Sequence, residues 1–121
     1  MSILTKPYII MVYEDRYVNG APSEYCLGTI GMSDTDSPNQ ALEPMLTRNV
    51  NGMKTLTFKM YKRYVDTITG EEVENPFSNW LVSERKIKLD YDGKLYDFII
   101  KDINENSSNY LYTYSLEDAN I

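Results

Sequence analysis

The sequence predicts a mainly β domain, a small open barrel or sandwich of roughly six to eight antiparallel strands with at most one short helix. Three observations carry that expectation. Residues 85–117 read as three amphipathic strands joined by two turns. Eleven tyrosines favour half-buried strands, because the ring is apolar and its tip polar. Turn signals at Asn19-Gly20, Asn51-Gly52 and Asp92-Gly93 punctuate the apolar runs.

The elements follow in order. Residues 7–13 form a continuous apolar run, as expected of a strand buried on both faces. The cluster Asn19-Gly20-Ala21-Pro22 turns the chain within residues 14–23, so a first hairpin leads to a strand over residues 24–32. Gly28 and Gly31 inside it imply a bulge or a close backbone approach. Cys26, between Tyr25 and Leu27, reads as a half-buried strand thiol. Residues 33–38 read as loop. Pro44 interrupts residues 39–47, leaving a helical turn or an irregular edge strand open.

After Asn51-Gly52, Leu56, Phe58 and Met60 alternate with Thr55, Thr57 and Lys59 in a half-buried strand, which residues 61–65 extend. Thr69-Gly70 then turns the chain under the acidic, solvated stretch Glu71-Glu72-Val73-Glu74. Asn75 caps a short helix with Pro76 at its first position, and Trp80, Leu81 and Val82 form an apolar plug.

The last third permits a register prediction. Ile87, Leu89 and Tyr91 alternate with Lys86, Lys88 and Asp90; Asp92-Gly93 reverses the chain; Tyr96, Phe98 and Ile100 answer. A type I′ turn needs positive φ at both central residues. With that turn, Tyr91 faces Lys94, Leu89 faces Tyr96, Ile87 faces Phe98, and Lys88 meets Asp97 on the other face. The final strand places Tyr110, Tyr112, Tyr114 and Leu116 on one side.

Composition excludes much chemistry. The chain has 121 residues, 42% hydrophobic and 25% charged, which is the composition of one globular domain. A net charge of −6 opposes general nucleic-acid binding, which needs Lys and Arg on phosphates. It suits solubility, or an acidic wall past which DNA slides. With no histidine and one cysteine, no intrachain disulfide can form, and the sequence argues against thiol catalysis and metal hydrolysis. Asp34/Asp36 and Asp90/Asp92 are carboxylate pairs of the kind a glycosidase uses, but each sits in a turn-like segment where Asp caps its own backbone. Asp34-Thr35-Asp36-Ser37 lacks the glycine and distal glutamate of a calcium loop. Asn106-Ser107-Ser108 reads as polar loop. Residues 1–6 carry no secretion signal, and the longest apolar run, residues 8–13, falls far short of a membrane span. No cofactor and no enzymatic activity are expected.

Two groups of residues resemble a known family. Leu46-Thr47-Arg48-Asn49-Val50-Asn51-Gly52 followed by Thr55-Leu56-Thr57-Phe58 resembles the ERxxNGxxxLTF hairpin of tail hub proteins, also called tail-associated or endopeptidase-tail proteins, from phages and prophages of Gram-positive bacteria. Thr47 stands where that pattern has an acidic residue. Asn75-Pro76-Phe77, the stretch from Leu81 to Leu89, and the block Tyr91 to Ile103 followed by Tyr110 to Asp118, where members carry G-K-x-Y-D-F-x-I-K-x-I and then Y-x-Y-x-x-x-D, are similar to the family's following segments. The resemblance covers residues 42–121.

It implies a β-barrel docking module similar to tail-tube subunits, in a ring at the tail tip that continues the tube and carries fibre, spike or lytic parts. Family members run far past this length, and their peptidase activity lies in the later segments. The expected function is therefore structural assembly in a phage tail tip or baseplate hub. The protein is expected in the virion tail after synthesis in the bacterial cytoplasm. The expected partners are copies of itself in a trimeric or hexameric ring and other tail or baseplate proteins, with neither specific nucleic-acid binding nor membrane. Phe77, Trp80, Tyr110, Tyr112 and Tyr114 are the interface candidates. The alternative is a carbohydrate- or receptor-binding module using the same tyrosine face.

Overall fold

In a computed structural model, which describes residues 2–31, 39–49, 52–106 and 110–119, the C-terminal hairpin takes the expected register. Tyr91 faces Lys94, Leu89 faces Tyr96, Ile87 faces Phe98 and Lys88 faces Asp97. Asp92 and Gly93 have φ of 52° and 76°, the left-handed pair that a type I′ turn demands.

The strands are β1 (Ser2–Ile3), β2 (Tyr8–Val18), β3 (Ala21–Gly31), β4 (Leu42–Arg48), β5 (Lys54–Tyr61), β6 (Arg63–Val65), β7 (Glu72–Glu74), β8 (Lys86–Tyr91), β9 (Lys94–Asn106) and β10 (Leu111–Asp118). Seven of them, with the two-residue β1 added at one edge, form an antiparallel sheet in the order β1-β4-β5-β10-β9-β8-β2-β3. It is mainly β, as expected, and the sheet stays open rather than closing into a barrel. β6 and β7 make a separate two-stranded hairpin, so residues 63–65 leave the sheet instead of extending β5. Asp66 holds the tip of that hairpin by accepting from the Ile68 and Thr69 amides.

One face of the sheet is buried. Ile10, Val12, Leu56, Phe58, Met60, Ile87, Leu89, Phe98, Ile100, Tyr114 and Leu116 belong to one cluster, each a product of strand alternation. Phe58 and Tyr114, directly opposed across β5 and β10, stack with centroids 5.4 Å apart. Residues 7–13 are buried on one face only: Ile9 is 46% exposed while Ile10 is fully buried. A strand flanked by a hairpin partner has a solvent face, and the apolar run misstates it.

The first hairpin turns at Asn19-Gly20, with φ of 53° and 78°, and its strands run up to the turn, Val18 facing Ala21. They are longer than the sequence implied, and Pro22 is accommodated because β3 is an edge strand. Pro44 sits in β4 at a bulge, where the register shifts between Leu42 and Met45 and Glu43 takes a φ of 48°. Cys26 is exposed, not half-buried.

Asn75 caps the short helix Pro76–Trp80, a 3-10 helix with Pro at its start, as expected. Of the plug residues, Leu81 is buried and Trp80 packs on the core, but Val82 is 43% exposed. Trp80 lies against Gly28, where β3 bulges: Val12 pairs with Gly28 and Tyr13 with Cys26, leaving Leu27 as the extra residue. A Cβ at Gly28 would lie 2.3 Å from Trp80 Cη2, far inside contact distance. Gly28→Ala should therefore lower stability by about 1–3 kcal/mol through overpacking, read as a lower urea midpoint. Gly31→Ala, with no atom within 4 Å of an added Cβ, is the control that should change little. Equal midpoints for the two would mean that the Trp80 contact places no constraint on β3.

Candidate functional site

The interface candidates separate into three environments. Tyr114 is a core residue with no exposure. No described protein group reaches its hydroxyl. It cannot meet a partner without opening the sheet, so the tyrosine stripe is not a surface. Phe77 and Trp80 pack edge to face at 5.3 Å on the short helix, half-buried against the core. Tyr110 and Tyr112 line a shared cavity.

Tyr110 does not continue the alternation of β10. It precedes the strand at a φ of 58°, a conformation uncommon for a bulky residue, and its side chain is 50% exposed. Its carbonyl accepts from the Lys62 amide at 2.9 Å, which ties the start of β10 to the end of β5. The cavity is an open groove of about 320 Å³ between the β6–β7 hairpin, the helix and the β9–β10 end. Lys62 lies 5.0 Å from the Tyr112 ring centroid and Arg63 lies 5.6 Å from that of Tyr110, both within cation–π range. Glu105 opposes Tyr112 across the strands, and burial with the nearby carboxylate keeps the proton on the tyrosine hydroxyl.

Asn75 builds this corner. It is fully buried; its Oδ1 accepts from the Phe77 amide at 3.1 Å and its Nδ2 donates to the Tyr61 carbonyl at 2.8 Å. Its own amide donates to the Lys62 carbonyl at 2.7 Å, and its carbonyl accepts from Ser78 Oγ at 2.8 Å. Sequence reasoning found the cap but not the link to β5, because the latter joins residues fourteen apart.

A second surface was missed. β2 pairs with β8 only from Tyr8 to Tyr13, so residues 14–25 project as a two-stranded arm. It carries Tyr17, 76% exposed, with Val18 and Tyr25 also exposed. Arg16 lies over the Tyr25 ring at 3.5 Å and pairs with Glu14. Lys86 braces its base against Asp15 at 3.1 Å, an exposed pair that positions more than it stabilises. Among the described residues no strand pairs with the outer edge of β3. The signal for the arm was present: Asn-Gly is the same hairpin turn as Asp92-Gly93.

The carboxylate pairs do not converge. Asp90 is exposed on β8 and Asp92 sits in the turn, paired with Lys6 at 3.1 Å. Asp34, Asp36, Ser107 and Ser108 lie outside the described residues. Among the described residues there is no group of three or more metal-ligating side chains and no helix long and apolar enough to cross a membrane. No family model matches the sequence, and no curated protein matches it significantly.

Two predictions follow from this geometry. Asn75→Ala strands the Phe77 amide and the Tyr61 carbonyl and should cost about 2–4 kcal/mol. Asn75→Asp retains the cap acceptor but loses the donor, so it should also destabilise, and a chemical-denaturation series of both variants checks the pair. The second concerns pH. Tyr8, Tyr112 and Tyr114 hold their protons above the ordinary value of 10.0. Burial is the leading cause in each, with Glu105 adding at Tyr112 and Tyr112 adding at Tyr114. The unfolded chain releases these protons first, so stability is whole below pH 10.0 and is lost as pH rises beyond it. Tyr114→Phe removes the unpartnered hydroxyl. It should raise stability by about 1 kcal/mol and reduce the alkaline loss, read from urea midpoints across pH.

Proposed function

We propose that this chain is a structural assembly protein of a phage tail tip or baseplate hub. It forms a homo-oligomeric ring, a trimer or hexamer, that continues the tail tube and anchors distal components of the virion tail. The observation that carries this reading is where the hub-like segments fall. Of the hub-like segments, residues 46–48, 55–58, 86–89, 94–103 and 111–118 lie on β4, β5, β8, β9 and β10, consecutive neighbours in one sheet in the order β4-β5-β10-β9-β8, while Asn75-Pro76-Phe77 opens the short helix beside it. Adjacent placement of most of the segments supports the reading.

The arm supplies what ring assembly requires. Outward of Thr29 and Gly31, which meet Asn39 and Gln40, the edge strand β3 pairs with no other described strand, an arrangement that invites pairing with another chain, and exposed tyrosines are favoured in such contacts. A head-to-tail contact of this kind closes into a ring when its rotation allows. The acidic balance of −6 suits passage of DNA through the ring rather than retention of it. The chain performs this role without cofactor or catalysis and is made in the bacterial cytoplasm before joining the tail.

Light scattering across a concentration series, with negative-stain images, tests the reading. A defined trimer or hexamer is expected, and Tyr17→Glu combined with Tyr25→Glu should dissociate it without changing the circular dichroism spectrum. A protein that stays monomeric at every concentration, and that fails to enter particles when co-produced with tail proteins, removes the proposal.

A further inference from the structure

We propose that the cavity under Tyr110 and Tyr112 binds a neutral saccharide, taking one sugar ring against Tyr110. The inference is independent of the assembly reading. It starts from an imbalance in how this corner is built: a half-exposed aromatic ring is held outside the strand pattern, and charged groups of both signs surround it.

Tyr110 is turned out by its φ of 58° and pinned there through the Lys62 amide. A bulky residue held in that region persists only where its surroundings enforce it. Arg63 sits 5.6 Å from the centre of the Tyr110 ring, and Tyr110 as a residue remains 50% exposed. Such a surface offers an apolar face to the C–H side of a pyranose. Arg63 is itself held by Glu72, whose carboxylate accepts from Nε at 2.7 Å, so the guanidinium is oriented before any ligand arrives.

The remaining walls decide the ligand class. Lys62 and Arg63 supply donors, Glu74 and Glu105 supply acceptors, and Asn79 supplies both. Arg63 is already paired with Glu72, so Lys62 facing Glu74 and Glu105 leaves the lining weakly acidic, which disfavours an anionic ligand. A ligand that both donates and accepts at closely spaced positions matches this lining, which is the description of a polyol, and bonds to charged partners are the stronger kind. The volume of about 320 Å³ lies at the lower end of small-molecule sites, room for one or two sugar rings rather than an extended chain.

Saturation-transfer NMR of the full chain with glucose, galactose, rhamnose and N-acetylglucosamine, followed by an array of neutral glycans, tests the site. Transfer to at least one sugar is expected, weakened about tenfold by Tyr110→Ala and reduced by Glu74→Gln. Tyr110 is exposed, so an unchanged circular dichroism spectrum separates lost binding from lost folding. Absence of transfer to every sugar and of array binding overturns the proposal. So does binding that Tyr110→Ala and Glu74→Gln leave unchanged, and so does a preference for phosphate or sulfated glycans over neutral ones.

Discussion

One face of an open sheet must be kept from water, and the rest of the fold answers to that constraint. A flat sheet of this width would leave its apolar side exposed. Here residues from both ends of the sheet reach a single cluster, with Ile30 on β3 and Ala41 beside β4 both in it. The sheet therefore curls on itself. Tyr8 donates to the Ala41 carbonyl at 3.2 Å, and Gly31 bridges Gln40, so the two edges are drawn together without closing. Burying the Phe58–Tyr114 stack at the centre, at about 1.5–3 kcal/mol per large side chain, is the main return on that curvature.

Curvature in turn needs irregularity, since regular pairing twists a sheet without bending it sharply. Register shifts occur in three pairings, between Val12 and Tyr13, between Leu42 and Met45, and between Ser115 and Leu116. Each places an extra residue on one strand. At the β3 bulge the lack of a side chain on Gly28 admits the Trp80 ring, which lets the short helix lie over the open side of the core. Leu81 then enters the cluster behind it. Asn75 fastens the other end of the helix to β5, so the cover is anchored to a strand at one end and to an edge at the other.

The arm and the tyrosine cavity leave the sheet at the same end, opposite the Asp92-Gly93 turn. β2 runs from Tyr8, beside Tyr91, out to Val18, while β9 runs from Lys94 to Glu105 before β10 begins. The exposed tyrosines of the arm and those of the cavity therefore face one direction. The opposite end carries Lys6, Arg48, Lys54 and Lys94 near tight turns and presents a different chemistry to whatever lies behind it.

The sequence by itself determined whatever depends on neighbours along the chain or across a tight turn. Alternation assigned Leu56, Phe58, Met60, Ile87, Leu89 and Phe98 to the core, because strand geometry sends every second side chain to one face. Asp92-Gly93 set its hairpin's register, and Asn75-Pro76 placed the helix start, since both are local backbone preferences. The tertiary structure decided which faces stay buried and which groups meet. Ile9 and Val82 are apolar yet exposed, and Tyr114 is core while Tyr110 is surface, although both belong to one apparent stripe. Lys62, Arg63, Glu74, Asn79 and Glu105 join the two tyrosines only through the order β5-β10-β9 and the hairpin that leaves it. No sequence spacing encodes that meeting, because it is made by strand pairing between distant segments.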